Sequence, residues 1–333
     1  MKRAFNILLG AMLLLSACDG GDVEVGKSNE IAFNAQHIQR GAMTQDDVDR
    51  GTVYVFGVQN NSTRIFTKTP ITRDATTGKW FPQSKKNWVE GSSYSFYGYA
   101  YNTANGLTFV QDKDKIQTGL EIEVQQPTTY NESAMIDYLL SYAFKVADGE
   151  MKPVVQLHLE HAMALVEVYV VKGNMFDARL KSLSLENIYS GGAMKCTSQA
   201  IANSGERNIW QTTPSGTNDA KYTYTPATPI TIGDERENTA AKMTLMCVPQ
   251  QLTAATKLVI EYEVNEKISS SSPDNFVTHT EEFQLYNYYP MYYQSGHRII
   301  YTATVDSGVN LVGVVSDWID VDYIEGTVLP EIK

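Results

Sequence analysis

Two histidines three residues apart, His158 and His161, form the spacing in this chain most like a metal site. An imidazole pair binds zinc when both rings reach one ion. The surrounding stretch, VVQLHLEHAMALVEVYVV over Val154–Val171, alternates as a strand does. Positions three apart on a strand point to opposite faces, so the rings share an ion only if the strand bends between them. His37, His279 and His297 have no acid or cysteine at ligand spacing. The nucleophile elbow G-x-S-x-G, the phosphate-cradling P-loop and H-E-x-x-H are all missing. Carboxylates are abundant, but sequence alone does not pick out a glycosidase pair. The chain is therefore read as a non-enzyme that uses no metal and no cofactor.

The first 18 residues, MKRAFNILLGAMLLLSAC, carry a different chemistry. Lys2 and Arg3 precede an apolar run from Ala4 to Ala17. That run is shorter than the ~20 residues needed to span a bilayer and fits a secretory signal over residues 1–17. Leu15-Ser16-Ala17-Cys18 resembles the bacterial lipobox, in which the cysteine sulfur is acylated before cleavage. Cys18 is thus the expected lipidation site, anchoring the mature chain to the outer membrane. The acidic, Gly-rich residues 18–29 should act as a flexible tether.

A third stretch reads as a strand and a loop. In EIAFNAQHIQR the residues Ile31, Phe33 and Ala35 share one face while Asn34 and Gln36 share the other, so this is a half-buried strand. The stretch Gly41–Asp49 then loses periodicity and is expected to be an exposed loop. Arginines flank it, at Arg40-Gly41 and Arg50-Gly51.

Tyr286, Tyr288, Tyr289, Tyr292 and Tyr293 crowd around Pro290. Exposed aromatic rings stack on sugars or seal protein interfaces. About half of such a cluster should turn inward as core, and Trp80 and Trp88 should be core.

These features must be held by strands. The chain has 333 residues, 20 tyrosines and few helix-periodic stretches. Removing residues 1–17 takes away Lys2, Arg3 and no acid, so the formal charge moves from −11 to −13. That acidity argues against a nucleic-acid partner. Cys196 and Cys247 could pair or remain buried thiols.

Strand candidates recur every 10–15 residues: Thr52–Val58, Thr63–Thr69, Lys79–Phe81, Tyr94–Tyr101, Gly106–Val110, Leu120–Val124 and Tyr138–Phe144. Val146–Glu150 looks like a linker. Within Val154–Val171 the buried phase shifts near His161–Met163, which predicts a break or bulge there. Leu180–Glu186, Met243–Val248, Lys257–Val264, Thr278–Leu285, Arg298–Val305 and Val314–Tyr323 complete the set. Asn203–Ala220 and Ser269–Asp274 read as surface loops. Spacing of this kind implies an all-β chain of sandwiches or barrels. The simplest partition is an N-terminal domain over 30–149 and a C-terminal domain over 150–333.

Several segments, in order, resemble the fimbrillin family, the Bacteroidales type V pilins. They are the lipobox, the strand ending at Arg40 and the strand Val53–Val58, and Asn87-Trp88-Val89-Glu90-Gly91 with Tyr94–Tyr99. Asp137–Ala143, Leu157–Ala162, Val248-Pro249-Gln250, Gly296–Tyr301 and Asp317-Trp318 follow. The resemblance implies two transthyretin-like (Greek-key) β-sandwich domains in tandem. It also implies a surface fimbria subunit for adhesion. A protease cuts after Arg or Lys behind the first strand, and the strand of another pilin subunit then replaces it by donor-strand exchange. Here Ile31, Phe33 and Ala35 would be the pegs of the removed strand and Arg40, before Gly41 in the loop, the cut site of a trypsin-like protease. Arg50 would be the poorer choice because it abuts the next strand. The donor segment would be 314–333, with Val315, Ile319, Val321 and Tyr323 on one face and Asp317 as a misfit. A non-polymerising lipoprotein that binds glycan or a host ligand, or a pilus anchor, stays open as an alternative.

Overall fold

The structure is a computed structural model. It describes residues 29–37, 48, 51–101, 111–115, 119–148, 153–173, 177–196, 210–267, 271–306 and 308–317. Within these the chain is built almost wholly of strands, with two single-turn 3-10 helices at Glu132–Ala134 and Leu285–Asn287.

The first strands are β1 (Phe33–His37), β2 (Val53–Gln59), β3 (Thr63–Arg73), β4 (Trp80–Pro82) and β5 (Ser93–Tyr101). Next come β6 (Gln111–Lys115), β7 (Gly119–Gln125), β8 (Tyr138–Val146), β9 (Val155–His161) and β10 (Ala164–Lys172). Seven of them close a barrel in the order β1-β4-β3-β2-β5-β8-β9. The barrel interior is one apolar cluster that includes Ile31, Phe33, Val55, Phe66, Trp80, Phe96 and Leu157. Closure removes the exposed edges that an open sheet would leave.

The β3–β4 hairpin shows how local chemistry serves this closure. Asp74 accepts hydrogen bonds from the backbone N–H groups of Thr76 (3.0 Å) and Thr77 (2.7 Å). Those bonds hold its carboxyl below the usual range. Gly78 takes φ +69°, a conformation that favours glycine. The turn brings Trp80 back beside β1, where it is buried.

The remaining strands are β11 (Ala178–Ile188), β12 (Gly191–Cys196), β13 (Trp210–Ser215), β14 (Ala220–Tyr224), β15 (Ile230–Thr231) and β16 (Lys242–Cys247). They are followed by β17 (Gln250–Gln251), β18 (Lys257–Asn265), β19 (Phe276–Gln284), β20 (Tyr292–Tyr293), β21 (His297–Val305) and β22 (Val309–Asp317). They form the sheets β16-β10-β21-β22 and β14-β11-β18-β19, while β13-β12-β7-β6 draws on both halves of the chain. A second apolar cluster fills the space around them, and Phe56, Tyr99, Tyr138 and Leu140 of the barrel strands join it.

The phase shift at His161–Met163 appears as the break between β9 and β10. Strand pairings cross the expected partition at 149/150 in both directions. β9 lies beyond it in sequence yet closes the barrel against β1 and β8. β6 and β7 lie before it yet extend the sheet of β12 and β13. Within the expected linker, Ala147 is buried and exchanges backbone bonds with Ser92 (2.9 Å) and Gly91 (2.7 Å). The surface loop expected over Asn203–Ala220 contains β13. Its Ser/Thr-rich composition hides a strand whose Pro214 is tolerated because β13 is an edge. In the expected loop Gly41–Asp49, the described residue Val48 is buried in the barrel core.

Three of the family-like segments meet at the joint between β9 and β10. Asp137, just before β8, and His161, at the end of β9, are both buried, with His161 Nδ1 2.9 Å from the Asp137 carboxylate. The Met163 carbonyl accepts from the Gly296 N–H at 2.9 Å, which ties β10 to the entry of β21. Segments far apart in sequence thus form one packed unit.

Candidate functional site

β1 enters between two neighbours that hold it unequally. It runs parallel to β9 over five residue pairs, Phe33↔Val155 to His37↔Leu159. Toward β4 it makes one pair, Phe33↔Trp80. Upstream, the Ile31 N–H donates to the Lys86 carbonyl (2.8 Å) and the Trp88 N–H to the Asn29 carbonyl (2.8 Å). One edge of the strand is therefore laddered, and the other is tacked near its start.

Its side chains alternate as expected. Ile31, Phe33 and Ala35 are buried. The Phe33 ring meets Phe96 edge-on at 5.4 Å and Phe66 at 5.9 Å between centroids, a geometry that ring quadrupoles favour. On the outer face, Asn34 Nδ2 donates to Gln156 Oε1 at 2.9 Å. Trp88 is core as well, edge-on to Tyr94 at 4.7 Å. The site offers apolar pockets and backbone hydrogen bonds to a strand.

Cys18, Arg40 and Arg50 lie outside the described residues, as do Ile319, Val321 and Tyr323. Val315 falls in β22 opposite Ile299 and packs on the second core. The first residues of the expected donor segment, 314–317, are thus already paired within their own sheet.

His158 is exposed and His161 buried, so the two rings face opposite ways. Among the described residues, no cluster of three His, Cys, Asp or Glu side chains could hold a metal. Cys247 is a buried free thiol, and burial raises its pKa.

The tyrosine segment splits by face. Tyr286, Tyr289 and Tyr292 are exposed, as is Met291. Tyr288 packs on the core edge-on to Phe283 at 5.9 Å, and Tyr293 is fully buried. Tyr293 therefore drops out as an exposed ligand aromatic. It pairs with Gln250 while its ring turns inward, and the Leu252 N–H donates to the Met291 carbonyl at 2.9 Å.

Two contributors were not apparent in sequence. Asp137 gave only a family-like stretch, with nothing to indicate His161 as its partner. Gly313 sits where a Cβ would collide with the Tyr289 carbonyl, and a glycine interrupting the valine run of β22 was its only sign.

A family model described as fimbrillin-like matches residues 41–318. The chain belongs to the fimbrillin-like family. Its fold is shared with a candidate cell adhesion protein of Bacteroides uniformis at 12% identity and a TM-score of 0.52, covering 87% of this chain and 100% of that one. A candidate cell adhesion protein of Bacteroides ovatus aligns at 16% identity and a TM-score of 0.47, over 88% of this chain and 98% of the other. A fimbrial assembly protein of Parabacteroides distasonis aligns at 10% identity and a TM-score of 0.42, over 86% and 95%. No curated protein matches the fimbrillin-like chain. Among its described residues, no helix is long and apolar enough to cross a membrane.

Proposed function

We propose that this fimbrillin-like chain is a structural subunit of a surface fimbria that serves adhesion, matured by loss of its first strand and joined by donor-strand exchange. The carrying observation is β1. Three buried side chains and five parallel pairs hold it on one side, while one pair holds it to β4. Cleavage after Arg40 would free this strand. The vacated barrel would expose Phe66, Phe96 and the β9 backbone, an edge that a strand from another subunit can refill. Each buried peg contributes roughly 1.5–3 kcal/mol, so the joint would open rarely.

In this account the precursor travels to the outer membrane as a lipoprotein acylated at Cys18, and a trypsin-like protease is its maturation partner. The two transthyretin-like domains of the family correspond to the barrel and to the sheets around β10, β11 and β21. The donor comes from residues beyond Asp317, because Val315 is occupied in β22.

Trypsin treatment of the purified protein, read by electron microscopy and by SDS gel without boiling, tests the proposal. Ladders or filaments that vanish in Arg40→Ala are expected. Cleavage that yields stable monomers alone would overturn polymerisation. It would favour a second reading, a glycan- or host-ligand-binding lipoprotein, which the exposed Tyr286, Tyr289 and Tyr292 support.

A further inference from the structure

Natural sheets guard their edges with charge, proline or distortion, since an unguarded edge accepts another strand. The three open sheets of four or five strands end in β6, β13, β14, β16, β19 and β22. Five of these carry guards: Asp112 and Lys113 in β6, Pro214 in β13, Lys221 in β14, Lys242 in β16, and Glu281 with Glu282 in β19. β22 differs. From Val309 to Ser316 it has no charged residue and no proline. Val312 and Val314 are each 51% exposed on its outer face. Its inner face is fixed by Leu311 in the core and by the Tyr289 backbone passing against Gly313. Among the described residues, β22 pairs along one side, with β21.

We infer that the open edge of β22 is a self-association surface, onto which a second copy of this chain adds its own β22 antiparallel across a two-fold axis. The Val312-Gly313-Val314 pattern, self-complementary about Gly313, selects the occupant, and charge selects the place. The chain carries a net −11, so two copies repel over most of their surface, whereas β22 is uncharged from Val309 to Ser316, with its one acid, Asp317, at the strand end. Symmetry sets the register. With Gly313 opposite Gly313 of the second copy, Val312 faces Val314, Val314 faces Val312, and Asn310 faces Ser316. Directly opposed residues lie on one face, so both exposed valines of each copy find apolar partners and the four-stranded sheets merge into one of eight. A nine-strand-residue seam is short beside standard interfaces, so the dimer forms by mass action and is favoured where copies crowd on a surface. This contact is separate from the β1 groove and needs no cleavage.

The test uses the full chain with Val312→Cys and Val314→Cys, alone and together, in an Arg40→Ala background on intact cells. Mild oxidation followed by a non-reducing gel reads the contact, with Cys196 and Cys247 present in every variant as controls. A disulfide-linked dimer is expected from the double variant and none from either single variant, because 312 faces 314. No dimer from the double variant would overturn the inference, and so would an equally strong dimer from a single variant. A dimer that appears only when Arg40 is restored would also overturn it, since copies would then be brought together by the β1 groove.

Discussion

β1 of the barrel and β21 of the C-terminal sheet each run parallel to one neighbour and antiparallel to the other, yet they are embedded to different depths. β21 has eight pairs with β10 and nine with β22. β1 has five with β9 and one with β4. Both bury large side chains, Phe33 in one case and Tyr301 in the other. Burial therefore does not distinguish them; backbone coverage and chain connection do. One cut behind β1 separates it from every other strand of the barrel, whereas β21 has described strands on both sides. On the proposed reading, a strand can be essential to a core and still leave it.

The largest expected effect separates these strands directly. Phe33→Ala should cost ~3–5 kcal/mol in the uncut precursor and leave the protein trimmed of β1 unchanged. Tyr301→Ala should cost a similar amount, about 3–5 kcal/mol, before and after trimming alike. Urea unfolding midpoints on both forms measure this. A trimmed Phe33→Ala protein as weak as its precursor would mean that β1 had stayed in place, and the contrast would fall.

Next in size is the joint between the two regions. Asp137→Ala removes the carboxylate that His161 Nδ1 meets in a fully buried setting. Losing a buried polar partner costs about 1–3 kcal/mol. Because both residues border β8 and β9, hydrogen exchange should quicken there first, with β18 and β19 keeping their protection. Uniform loss of protection would show that the joint is not a local unit.

Alkaline pH should weigh on the second apolar cluster, which holds Tyr138, Tyr222, Tyr293 and Tyr301. Burial pushes Tyr138 up to about 12 and raises Tyr222, Tyr293 and Tyr301 further. The folded state keeps these protons while the unfolded chain releases them near pH 10. Their contribution is full below pH 10 and is lost as pH rises, for Tyr138 through about 12. Each group in that range removes about 1.4 kcal/mol per pH unit. Melting temperature against pH should fall from pH 10 upward, and Tyr222→Phe should soften the slope. An unchanged slope would mean that Tyr222 is not held protonated.

What the sequence disclosed follows from periodicity. Ile31, Phe33 and Ala35 could be assigned to one face because a strand repeats every two residues, and the break at His161–Met163 because a one-residue slip reverses that face. Partners were another matter. Nothing in β9 indicates β1, more than a hundred residues upstream, and nothing in β7 indicates β12, because register is a long-range property of packing. Composition misled at β13, where threonines and Pro214 look like a loop until β12 supplies the ladder. The tyrosine segment was half legible. Its clustering was plain, but Tyr292 and Tyr293 face opposite ways only because they pair with Gln251 and Gln250.

That segment carries the smallest predicted effect on stability. Tyr289 is 68% exposed and Tyr293 is fully buried, four residues apart on one segment. Tyr289→Ala should change unfolding free energy by no more than about 0.5 kcal/mol, since its backbone, and not its ring, packs against Gly313. Tyr293→Ala, by contrast, should lower stability by an amount of the order set by Tyr301→Ala. The two together separate a ligand role from a packing role. If the exposed rings form a binding platform, Tyr289→Ala should reduce binding to immobilised glycans or host cells while its melting curve overlays that of the parent. Equal binding by Tyr289→Ala and the parent, measured at matched surface expression, would remove that ring from any ligand site. The groove vacated by β1 and the β22 edge would then remain the proposed contacts of the fimbrillin-like chain with its partners.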